Sequence, residues 1–319
     1  MSDIIQTAII GARGYVGFEL IQLIDKHPMT KLIAAYSREY NGKKICEIVP
    51  EFSNKELKYR ADEIESVVNL DADVLFLALP NNIAAKYNNL WKQFSADKII
   101  IDLSSDFRFD NDWQYCQPET CTLNANSANL IANPGCYATA GQLGLLPLKD
   151  FIKGTPNIFG VSGYSGAGSK PCDNNNPEKL KDNLMAYKLS GHIHEKEISQ
   201  ALGLKVNFMP HVAEFFRGIH LTISVELKSA LRPEDVFQMY SKFYKEAELI
   251  NISAEIPQVQ SVQNTHNVNI GGFSVDNNHL VLCVTIDNLL KGAATQAIQN
   301  MNLALKKRYN LQINTGITQ

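Results

Sequence analysis

Three glycines near the start of the chain constrain its fold more than any other feature. Gly11, Gly14 and Gly17 have the spacing G-x-x-G-x-x-G, and they follow the short apolar run Gln6–Ile10. Apolar side chains then recur at spacings of three and four through residues 15–24, which predicts a helix. Glycines between a strand and a helix permit a tight turn and leave room for a phosphate at the helix N-terminus. This context predicts a dinucleotide-binding turn, and a strand-to-helix turn without a ligand is the alternative.

Four more apolar runs of strand length alternate with helical patterns in the first half of the chain, at residues 31–36, 73–79, 98–103 and 129–131. Continuous apolar strands separated by helices are typical of a parallel sheet that is buried on both faces. Beyond residue 155 the pattern changes, because His220–Leu227 alternates apolar and polar residues as a strand with one wet face does. We therefore predict an α/β protein in which a Rossmann domain is followed by an α+β domain.

Composition excludes several classes of protein. Hydrophobic residues make up 45% and charged residues 20% of the 319 residues, so wholesale disorder is excluded. The formal net charge of -3 gives no reason to expect nucleic acid or an anionic membrane as a partner. No long apolar run and no basic leader are present, so we expect a soluble, cytoplasmic protein. The six cysteines are scattered, which argues against a disulfide scaffold and fits a reducing compartment.

The end of the second strand bears on the choice between NAD and NADP. An acidic residue there binds the ribose hydroxyls and repels a 2′-phosphate, whereas this chain has Ser37 and Arg38. Glu39 is adjacent and weakens the distinction, and a solvated surface charge is the alternative for Arg38. We expect NADP(H) as the cofactor.

Cys136 is the residue that most clearly suggests catalysis. Asn133-Pro134-Gly135 precede it as a turn, and an apolar helical stretch follows it. A thiolate at a helix start is stabilised by N–H groups and the helix dipole, and the same N–H groups stabilise an oxyanion. An inert buried cysteine is the alternative, and it suits Cys283 better. Cys116 and Cys121 lie close together in a polar loop, but no second Cys or His pair lies at a fitting distance for zinc, so we expect no metal.

A thiolate mechanism needs a residue that takes up and returns a proton, and histidine does both near neutral pH. His192 and His194 lie in a turn before a predicted helix at about residues 195–202. A lone histidine is more often structural, whereas two in an H-x-H turn favour a function, and zinc is the rival use of such a pair. His211 and His220 are lesser candidates.

The segment at residues 132–147, ANPGCYATAGQLGLLP, resembles the active-site segment of the N-acetyl-gamma-glutamyl-phosphate reductases. Further motifs extend this resemblance over residues 8 to about 303. They lie at residues 11–17, 103–108, 162–168, 191–198, 287–293 and 299–302.

The resemblance implies a fold of the semialdehyde and glyceraldehyde-phosphate dehydrogenase type. Its NADP-binding Rossmann domain would span residues 1–135, completed by a C-terminal helix at 290–319, with a catalytic and oligomerisation domain at 136–289. It implies NADPH-dependent reductive dephosphorylation of N-acetyl-L-glutamyl 5-phosphate, the third step of arginine biosynthesis. The reaction would pass through a thioester on Cys136, with His192 as catalytic base and acid.

The implied partners are a small-molecule acyl-phosphate substrate and further copies of the chain, as a homodimer or homotetramer. Two alternatives stay open. One is an aminoadipyl-phosphate reductase of lysine biosynthesis, and the other is a non-catalytic NADP-binding regulator.

Further site residues follow from the resemblance and from their chemistry. Arginine binds phosphate and carboxylate groups in bidentate geometry, and a surface salt bridge is the alternative for each arginine. We expect the substrate at Ser105, Arg108, Asn133, His194 and Arg217. We expect the cofactor at Gly11, Arg13, Gly14, Tyr15, Val16, Gly17, Ser37, Arg38, Pro80, Ser165, Gly166 and Asn288.

Two segments depart from the family pattern and concern substrate contacts. Pro80-Asn81-Asn82 stands where the family commonly has Pro-His-Gly. The segment that begins at His211 reads HVAEFFRGI, where the family often has Pro-Met before the arginine.

Overall fold

Apolar runs of strand length form two separate sheets in the computed structural model of this protein, which describes residues 4–123 and 129–317. By its internal contacts the chain divides into two units, residues 1–134 with 293–319 and residues 135–292. Each unit contains one of the sheets and an apolar core of its own.

The strands are β1 (Ile5–Ile10), β2 (Thr30–Tyr36), β3 (Tyr59–Arg60), β4 (Val74–Leu77), β5 (Ile99–Asp102), β6 (Gln114–Tyr115), β7 (Leu130–Ala132), β8 (Ile152–Gly163), β9 (Leu184–Ala186), β10 (Asn207–Ala213), β11 (Ile219–Leu227), β12 (Ile250–Ile252), β13 (Val268–Asp276) and β14 (His279–Ile286). The α-helices are α1 (Tyr15–Lys26), α2 (Ile45–Ile48), α3 (Asn88–Phe94), α4 (Cys136–Leu145), α5 (Pro177–Leu180), α6 (Ile193–Leu202), α7 (Pro233–Phe243) and α8 (Thr295–Tyr309).

The first unit is built on a parallel sheet with the strand order β3-β2-β1-β4-β5-β7-β6. The central strands β4 and β5 are buried along their whole length, as their continuous apolar sequences predict. The C-terminal helix α8 packs beside α1 and β5 in this unit. A strand order that runs 3-2-1-4-5 is that of a Rossmann fold, so the predicted fold class is confirmed for this half.

The second unit is built on a mixed sheet with the order β12-β13-β14-β11-β8-β10-β9. Strand β11 pairs antiparallel with both β8 and β14, whereas β10 pairs parallel with β8. The predicted alternation along β11 is confirmed, because Leu221, Ile223 and Val225 are fully buried while His220 and Thr222 on the other face are half-buried. Helices α4, α6 and α7 all pack against this sheet.

Helix α4 lies unusually close to its neighbours because two of its residues are glycines. A Cβ on Gly144 would lie 2.6 Å from the Cδ1 of Ile223, and a Cβ on Gly141 would lie 2.5 Å from the Cδ1 of Ile198. The hydroxyl of Tyr244 donates to the carbonyl of Leu143 at 2.6 Å. These contacts fix the axis of α4, and Cys136 is its first residue.

Several element predictions need correction. The run at 73–79 ends as a strand at Leu77. The apolar run at 158–163 also predicts a strand, and that strand begins earlier, at Ile152. Strands β10 and β13 were not predicted, because Pro210 interrupts the first and Gly271-Gly272 the second, and such residues weaken a strand pattern. Two adjacent asparagines, Asn277-Asn278, predict a hairpin turn. They do join β13 to β14 in an antiparallel pair, with Asn277 at φ +52°.

The cysteines also differ from expectation at one place. Cys116 and Cys121 form a disulfide, with their Cα atoms 5.3 Å apart. The intervening residues fold back, because the N–H groups of Thr120 and Cys121 both donate to the carbonyl of Gln117. This bond was not predicted, because scattered cysteines argue against a disulfide scaffold, and it closes one short loop.

Throughout residues 4–123 and 129–317, no helix is both long enough and apolar enough to cross a membrane.

Candidate active site

Most of the site residues expected in the first unit follow the carboxyl ends of adjacent strands. The ends lie level, because Ile10 pairs with both Tyr36 and Leu77, and Asp102 pairs with both Leu77 and Ala132. Parallel sheets place ligand sites at this edge. The residues that follow the strand ends there are Gly11, Ser37, Pro80, Ser105 and Asn133.

The glycine turn after β1 has a shape that side chains would destroy. Gly11 has φ +88°, and a Cβ on it would lie 2.3 Å from the carbonyl oxygen of Ala78. A Cβ on Gly17 would lie 2.7 Å from the backbone of Ala12, whereas one on Gly14 would meet nothing within 4 Å. Helix α1 starts here without a side-chain cap. The turn therefore fits a pyrophosphate, because it presents a helix N-terminus beside open space.

Polar and charged residues surround the end of β2. The Ser37 side chain is buried and accepts a hydrogen bond from the N–H of Tyr40 at 3.2 Å, while Arg38 is exposed. Glu39, which would oppose a 2′-phosphate, forms an ion pair with Arg13. The ion pair offsets the charge of Glu39, and Arg38 is an exposed cation at this edge.

The loop after β5 is held by two carboxylates. The buried carboxyl of Asp102 accepts from both the N–H and the hydroxyl of Ser104, and burial raises the pKa of Asp102 to about 7. Asp106 accepts from the N–H groups of Asn82 at 2.6 Å and Ala85 at 2.9 Å. Asn82 has φ +65°, a conformation that glycine and asparagine tolerate best. The departure from Pro-His-Gly is therefore compatible with the same loop shape.

Two residues expected to bind substrate, Arg108 and Asn133, are hydrogen-bonded within the first unit. Arg108 is buried and donates to the carbonyls of Leu103 and Asn133, each at 3.1 Å. The Asn133 side chain is buried too, donates to the carbonyl of Ala293 at 3.3 Å and accepts from Asn300 at 3.0 Å. Both side chains are thus engaged within the protein.

Cys136 opens the ten-residue helix α4 in the second unit. Gly135 is the N-cap residue and has no capping side chain, and its own N–H donates to the Glu197 carboxylate at 3.0 Å. The Cys136 side chain is partly exposed. The helix N-terminus favours the thiolate form of Cys136.

Gly292 packs directly on the cysteine. A Cβ on Gly292 would lie 2.7 Å from the Cβ of Cys136. The N–H of Gly292 donates to the carbonyl of Asp287 at 2.9 Å, which holds the glycine in place.

The two histidines lie at the start of helix α6. His192 is its N-cap residue, and its Nδ1 accepts from the N–H of His194 at 3.2 Å. The His194 Nε2 lies 3.8 Å from the Oε1 of Glu197, whose side chain is fully buried. Burial and the nearby Lys188 charge lower the pKa of His192 to about 4.

A cluster of hydroxyl groups beside Cys136 was not predicted as part of the site. The Tyr137 hydroxyl donates to the carbonyl of His211 at 2.7 Å. It also interacts with the side chains of Tyr187 and Ser162, and both tyrosines interact electrostatically with Cys136. Burial raises the pKa of both tyrosines, so they stay protonated at neutral pH. The Tyr187 ring lies edge-on to His192, with centroids 5.8 Å apart. The sequence signal for Tyr187 is weak, because it stands alone outside any recognised motif.

Asp287 organises the other polar group of the second unit. The Nε and Nη2 of Arg217 lie 2.6 and 3.0 Å from the two oxygens of the buried Asp287 carboxylate, and its Nη1 donates to Asn264 at 2.8 Å. The N–H groups of Leu289 and Leu290 also donate to Asp287. Arg217 is therefore paired with Asp287 and Asn264 within the protein.

Asn288 links two further expected site residues. Its Oδ1 accepts from the N–H of Gly218 at 2.7 Å, and its Nδ2 donates to the hydroxyl of Ser165 at 2.9 Å. Gly166 follows in the same loop. A Cβ on Gly166 would lie 3.3 Å from the Oγ of Ser162 and 3.9 Å from the Nδ2 of Asn288. Asn288 is almost fully buried, so its contacts fix the loop that begins at Ser165.

Within the described ranges, no three His, Cys, Asp or Glu side chains converge in a way that could hold a metal ion. His211 and His220 lie on the face of the second sheet opposite helix α4, where His211 packs on Phe159 with ring centroids 4.4 Å apart. Burial lowers the pKa of His220.

Comparison with known proteins gives a consistent result. Residues 6–128 match the family described as semialdehyde dehydrogenase, NAD binding domain, and residues 136–288 match semialdehyde dehydrogenase, dimerisation domain. The crystal structure of aspartate semialdehyde dehydrogenase with NADP from Candida albicans is similar with a TM-score of 0.75 at 17% identity, covering 95% of this chain and 99% of that one. At this identity the likeness shows the fold alone, and it confirms the dehydrogenase-type fold.

Relatives of higher identity are similar along almost the whole chain. Protein arg-6, mitochondrial, from Neurospora crassa is 47% identical over 94% of this chain, but the chain spans only 35% of that protein's length. The N-acetyl-gamma-glutamyl-phosphate reductase of Xanthomonas campestris is 46% identical over 93% of this chain and 94% of its own length.

A side chain at position 292 should displace the nucleophile. In Gly292→Ala the added Cβ must push the start of α4, so we expect alkylation of Cys136 by iodoacetamide to slow by about 100-fold, a size typical of a misplaced reacting group. Mass spectrometry of the Cys136 peptide measures the rate separately from the other thiols.

Gly14→Ala is the matched control, because its added Cβ meets nothing within 4 Å. An unchanged rate in Gly292→Ala would show that α4 accommodates the methyl group and that the contact does not position Cys136.

Proposed function

Because the chain belongs to the family of N-acetyl-gamma-glutamyl-phosphate reductases, we propose that it reduces N-acetyl-L-glutamyl 5-phosphate to N-acetyl-L-glutamate 5-semialdehyde with NADPH. The observation that carries this proposal is the position of Cys136, partly exposed at the start of helix α4, directly after a glycine whose N–H donates to Glu197 of helix α6. The aminoadipyl-phosphate alternative is not favoured by the relatives, and a regulator without catalysis would not need this cysteine.

The proposed nucleophile is the Cys136 thiolate. Its sulfur attacks the acyl carbon of the acyl phosphate, the carbon–oxygen bond to phosphate breaks, and a thioester on Cys136 forms. Division of one difficult displacement into two easier steps is the advantage of such a covalent intermediate. The N–H groups at the start of α4 stabilise both the thiolate and the oxyanion that forms on the attacked carbon.

The first unit supplies the proposed dinucleotide site. Gly11, Arg13, Gly14, Tyr15, Val16 and Gly17 would surround the pyrophosphate, and Ser37 and Arg38 would bind the ribose 2′-phosphate. When bound, NADPH supplies the hydride that reduces the thioester. Pro80 lies at the same edge of the sheet, and we propose Ser165, Gly166 and Asn288 as further cofactor residues of the second unit.

The substrate residues divide into two groups. We propose Ser105 and His194 as direct contacts, since neither is fully buried. Arg108, Asn133 and Arg217 donate hydrogen bonds to carbonyl, carboxylate and amide oxygens within the protein. We therefore propose that their chief role is to hold the backbone and side chains of the site in place. Guanidinium groups carry five donors, which leaves Arg217 able to reach an anion while it stays paired.

The reaction is best tested in reverse. Purified protein is mixed with N-acetylglutamate semialdehyde, phosphate and NADP⁺, and NADPH absorbance is followed. We expect phosphate-dependent NADPH formation that Cys136→Ser reduces by at least about 10⁴-fold, because a serine at this position lacks the thiolate. Cys172→Ser, which removes an exposed cysteine, is the matched control. Turnover that survives in Cys136→Ser, or that ignores phosphate, would contradict the thioester mechanism.

The cofactor preference provides a second test. Because a charge-assisted hydrogen bond contributes about 1.5–3 kcal/mol, Arg38→Ala should raise the KM for NADPH by about ten- to a hundredfold and leave that for NADH unchanged. Lys31→Ala, an exposed cation near the opposite end of β2, is the control. An equal rise in the KM for NADPH and for NADH would show that Arg38 does not bind the 2′-phosphate.

The second unit matches a dimerisation domain, and we propose that the face of its sheet opposite helix α4 is the contact between copies of the chain. Phe159 is 38% exposed on this face although it lies in the middle of the sheet. Exposed aromatic side chains at the centre of a sheet are typical of an interface.

Phe159→Asp should dissociate the oligomer, because the change buries a charge in the proposed interface. Light scattering after size exclusion measures the mass. Phe243→Asp is the control, since Phe243 is 50% exposed but lies on α7. An unchanged mass in Phe159→Asp would place the interface elsewhere.

A further inference from the structure

One pair of cysteines lies outside the proposed chemistry. Cys116 and Cys121 form a disulfide, whereas the other four cysteines, all of them in the described part of the chain, are free. We infer that this pair is a thiol–disulfide exchange site, and that its reduction by a dithiol loosens the strand end that leads to Cys136 and slows the reaction of that cysteine. Such a site goes beyond the proposed reduction of the acyl phosphate.

The two sulfur atoms of the pair differ in their access to solvent. Cys116 is fully buried, whereas Cys121 is partly exposed. An attacking thiolate therefore reaches the sulfur of Cys121, and Cys116 is the leaving group. In a reducing compartment, disulfides that exchange in this way are usually redox-sensing or catalytic.

The backbone keeps the two cysteines together whether or not they are bonded. The N–H groups of Thr120 and Cys121 donate to the carbonyl of Gln117 at 3.0 and 2.8 Å, so the loop turns back on itself without help from the sulfur atoms. The Cα atoms of Cys116 and Cys121 are 5.3 Å apart, which is within the range that a disulfide requires. The pair is therefore arranged to form its bond again after reduction.

Both cysteines are anchored to the short strand β6, which pairs with β7. The N–H of Cys116 donates to the carbonyl of Ala132, the last residue of β7, at 3.2 Å. Gln114 lies in β6, and its Nε2 donates to the sulfur of Cys121 at 3.8 Å and to the carbonyl of Thr122 at 2.8 Å. Because β6 is a two-residue strand at the edge of the sheet, it has little pairing of its own, and these anchors help to fix its position.

Asn300 of helix α8 connects this strand end to the turn before Cys136. Its Nδ2 donates to the carbonyl of Cys116 at 3.1 Å and to the Oδ1 of Asn133 at 3.0 Å. Asn133 and Asn300 are both buried, and Asn133 stands three residues before Cys136. A movement of the Cys116 carbonyl therefore changes the hydrogen bonds of the segment that leads to the nucleophile.

Reduction requires space at a place where the chain is tightly packed. Sulfur atoms that are no longer bonded stand at van der Waals distance, so two thiols need more room than one disulfide. Because Cys116 is fully buried, the two sulfurs separate only if the loop or the end of β6 shifts. We expect this shift to weaken the pairing of β6 with β7 and the bridge through Asn300.

The exchange balances as a transfer of two electrons from the dithiol to the disulfide. A thiolate of the reductant attacks the sulfur of Cys121, the bond between the two protein sulfurs breaks, and Cys116 leaves as a thiolate that takes a proton from water. The second thiol of the reductant gives up its proton and attacks the mixed disulfide, and Cys121 leaves as a thiolate that is protonated in turn. The protein ends with two thiols and the reductant with one disulfide.

The first test measures the exchange itself. The folded chain is incubated with dithiothreitol and quenched with acid, and its thiols are labelled with one maleimide before full reduction and with a heavier one after it. Mass spectrometry then counts free and bonded cysteines. We expect Cys116 and Cys121 to become free together in the folded chain. A pair that stays bonded there, at a dithiothreitol concentration that reduces the unfolded chain, would overturn the inference.

The second test measures the effect on Cys136. After dithiothreitol is removed, we expect Cys136 of the reduced chain to react with iodoacetamide about tenfold more slowly than Cys136 of the oxidised chain, a size typical of coupling between two sites. Cys121→Ser, which cannot form the bond, should match the reduced chain. Cys172→Ser, which removes an exposed free cysteine, is the matched control.

Re-oxidation separates loss of the bond from a defect in folding. It should restore the rate at Cys136 in the unaltered chain but not in Cys121→Ser. Equal rates in the oxidised chain, the reduced chain and Cys121→Ser would overturn the inference.

Hydrogen exchange gives a readout at the strand itself. The amide hydrogen of Cys116, which donates to Ala132, should exchange faster in the reduced chain, whereas the amides of β1, elsewhere in the same sheet, should not change. Unchanged exchange at Cys116 would also overturn the inference. None of these measurements uses substrate, so failure of the proposed function shows separately, as absence of semialdehyde turnover in the unaltered chain.

Discussion

The hydrogen bond from the N–H of Gly135 to the buried Glu197 carboxylate joins the two helices on which the chemistry depends. Gly135 caps α4, whose first residue is Cys136, and Glu197 lies on α6 just after the two histidines. A buried carboxylate is stable only when its oxygens accept hydrogen bonds. The turn before Cys136 supplies one such donor to Glu197, so the turn before Cys136 and the start of helix α6 stabilise each other. The same logic recurs at Asp287, whose oxygens hold Arg217 and the turn that leads to Gly292.

The parts of the fold that follow from periodicity could be predicted from the sequence. Strands β1, β4 and β5 are buried on both faces, so their sequences are continuously apolar and hard to mistake. The glycine turn could be predicted because its shape requires glycine at two positions. A side chain at Gly11 or Gly17 would collide with backbone atoms, so the requirement is visible in the sequence. By contrast, β10 and β13 contain residues that strands disfavour, and only pairing with their neighbours makes them strands.

The functional residues follow a similar division. Cys136 and the histidine pair stand in short motifs whose chemistry is local, so sequence reasoning reaches them. Tyr187 joins the hydroxyl cluster only through the pairing of β9 with β10, which no local pattern reveals. Sequence reasoning also could not identify the internal partners of Arg108 and Arg217, because acceptors of these side chains lie 25 and 70 residues away along the chain. The disulfide between Cys116 and Cys121 likewise depends on a turn that no local sequence pattern reveals.

The buried carboxyl of Asp102 has a consequence for how the protein responds to acid. Its ordinary pKa of 3.8 rises to about 7 in the folded chain. Between those two values the folded protein holds a proton at Asp102 that the unfolded chain releases, so folding takes up a proton from the buffer. The contribution of this group to the free energy of unfolding is therefore greatest at low pH and declines as the pH rises towards 7. A surface carboxylate in a salt bridge behaves in the opposite way. The strand end that carries Asp102 thus gains stability under mild acid, where paired carboxylates elsewhere lose it.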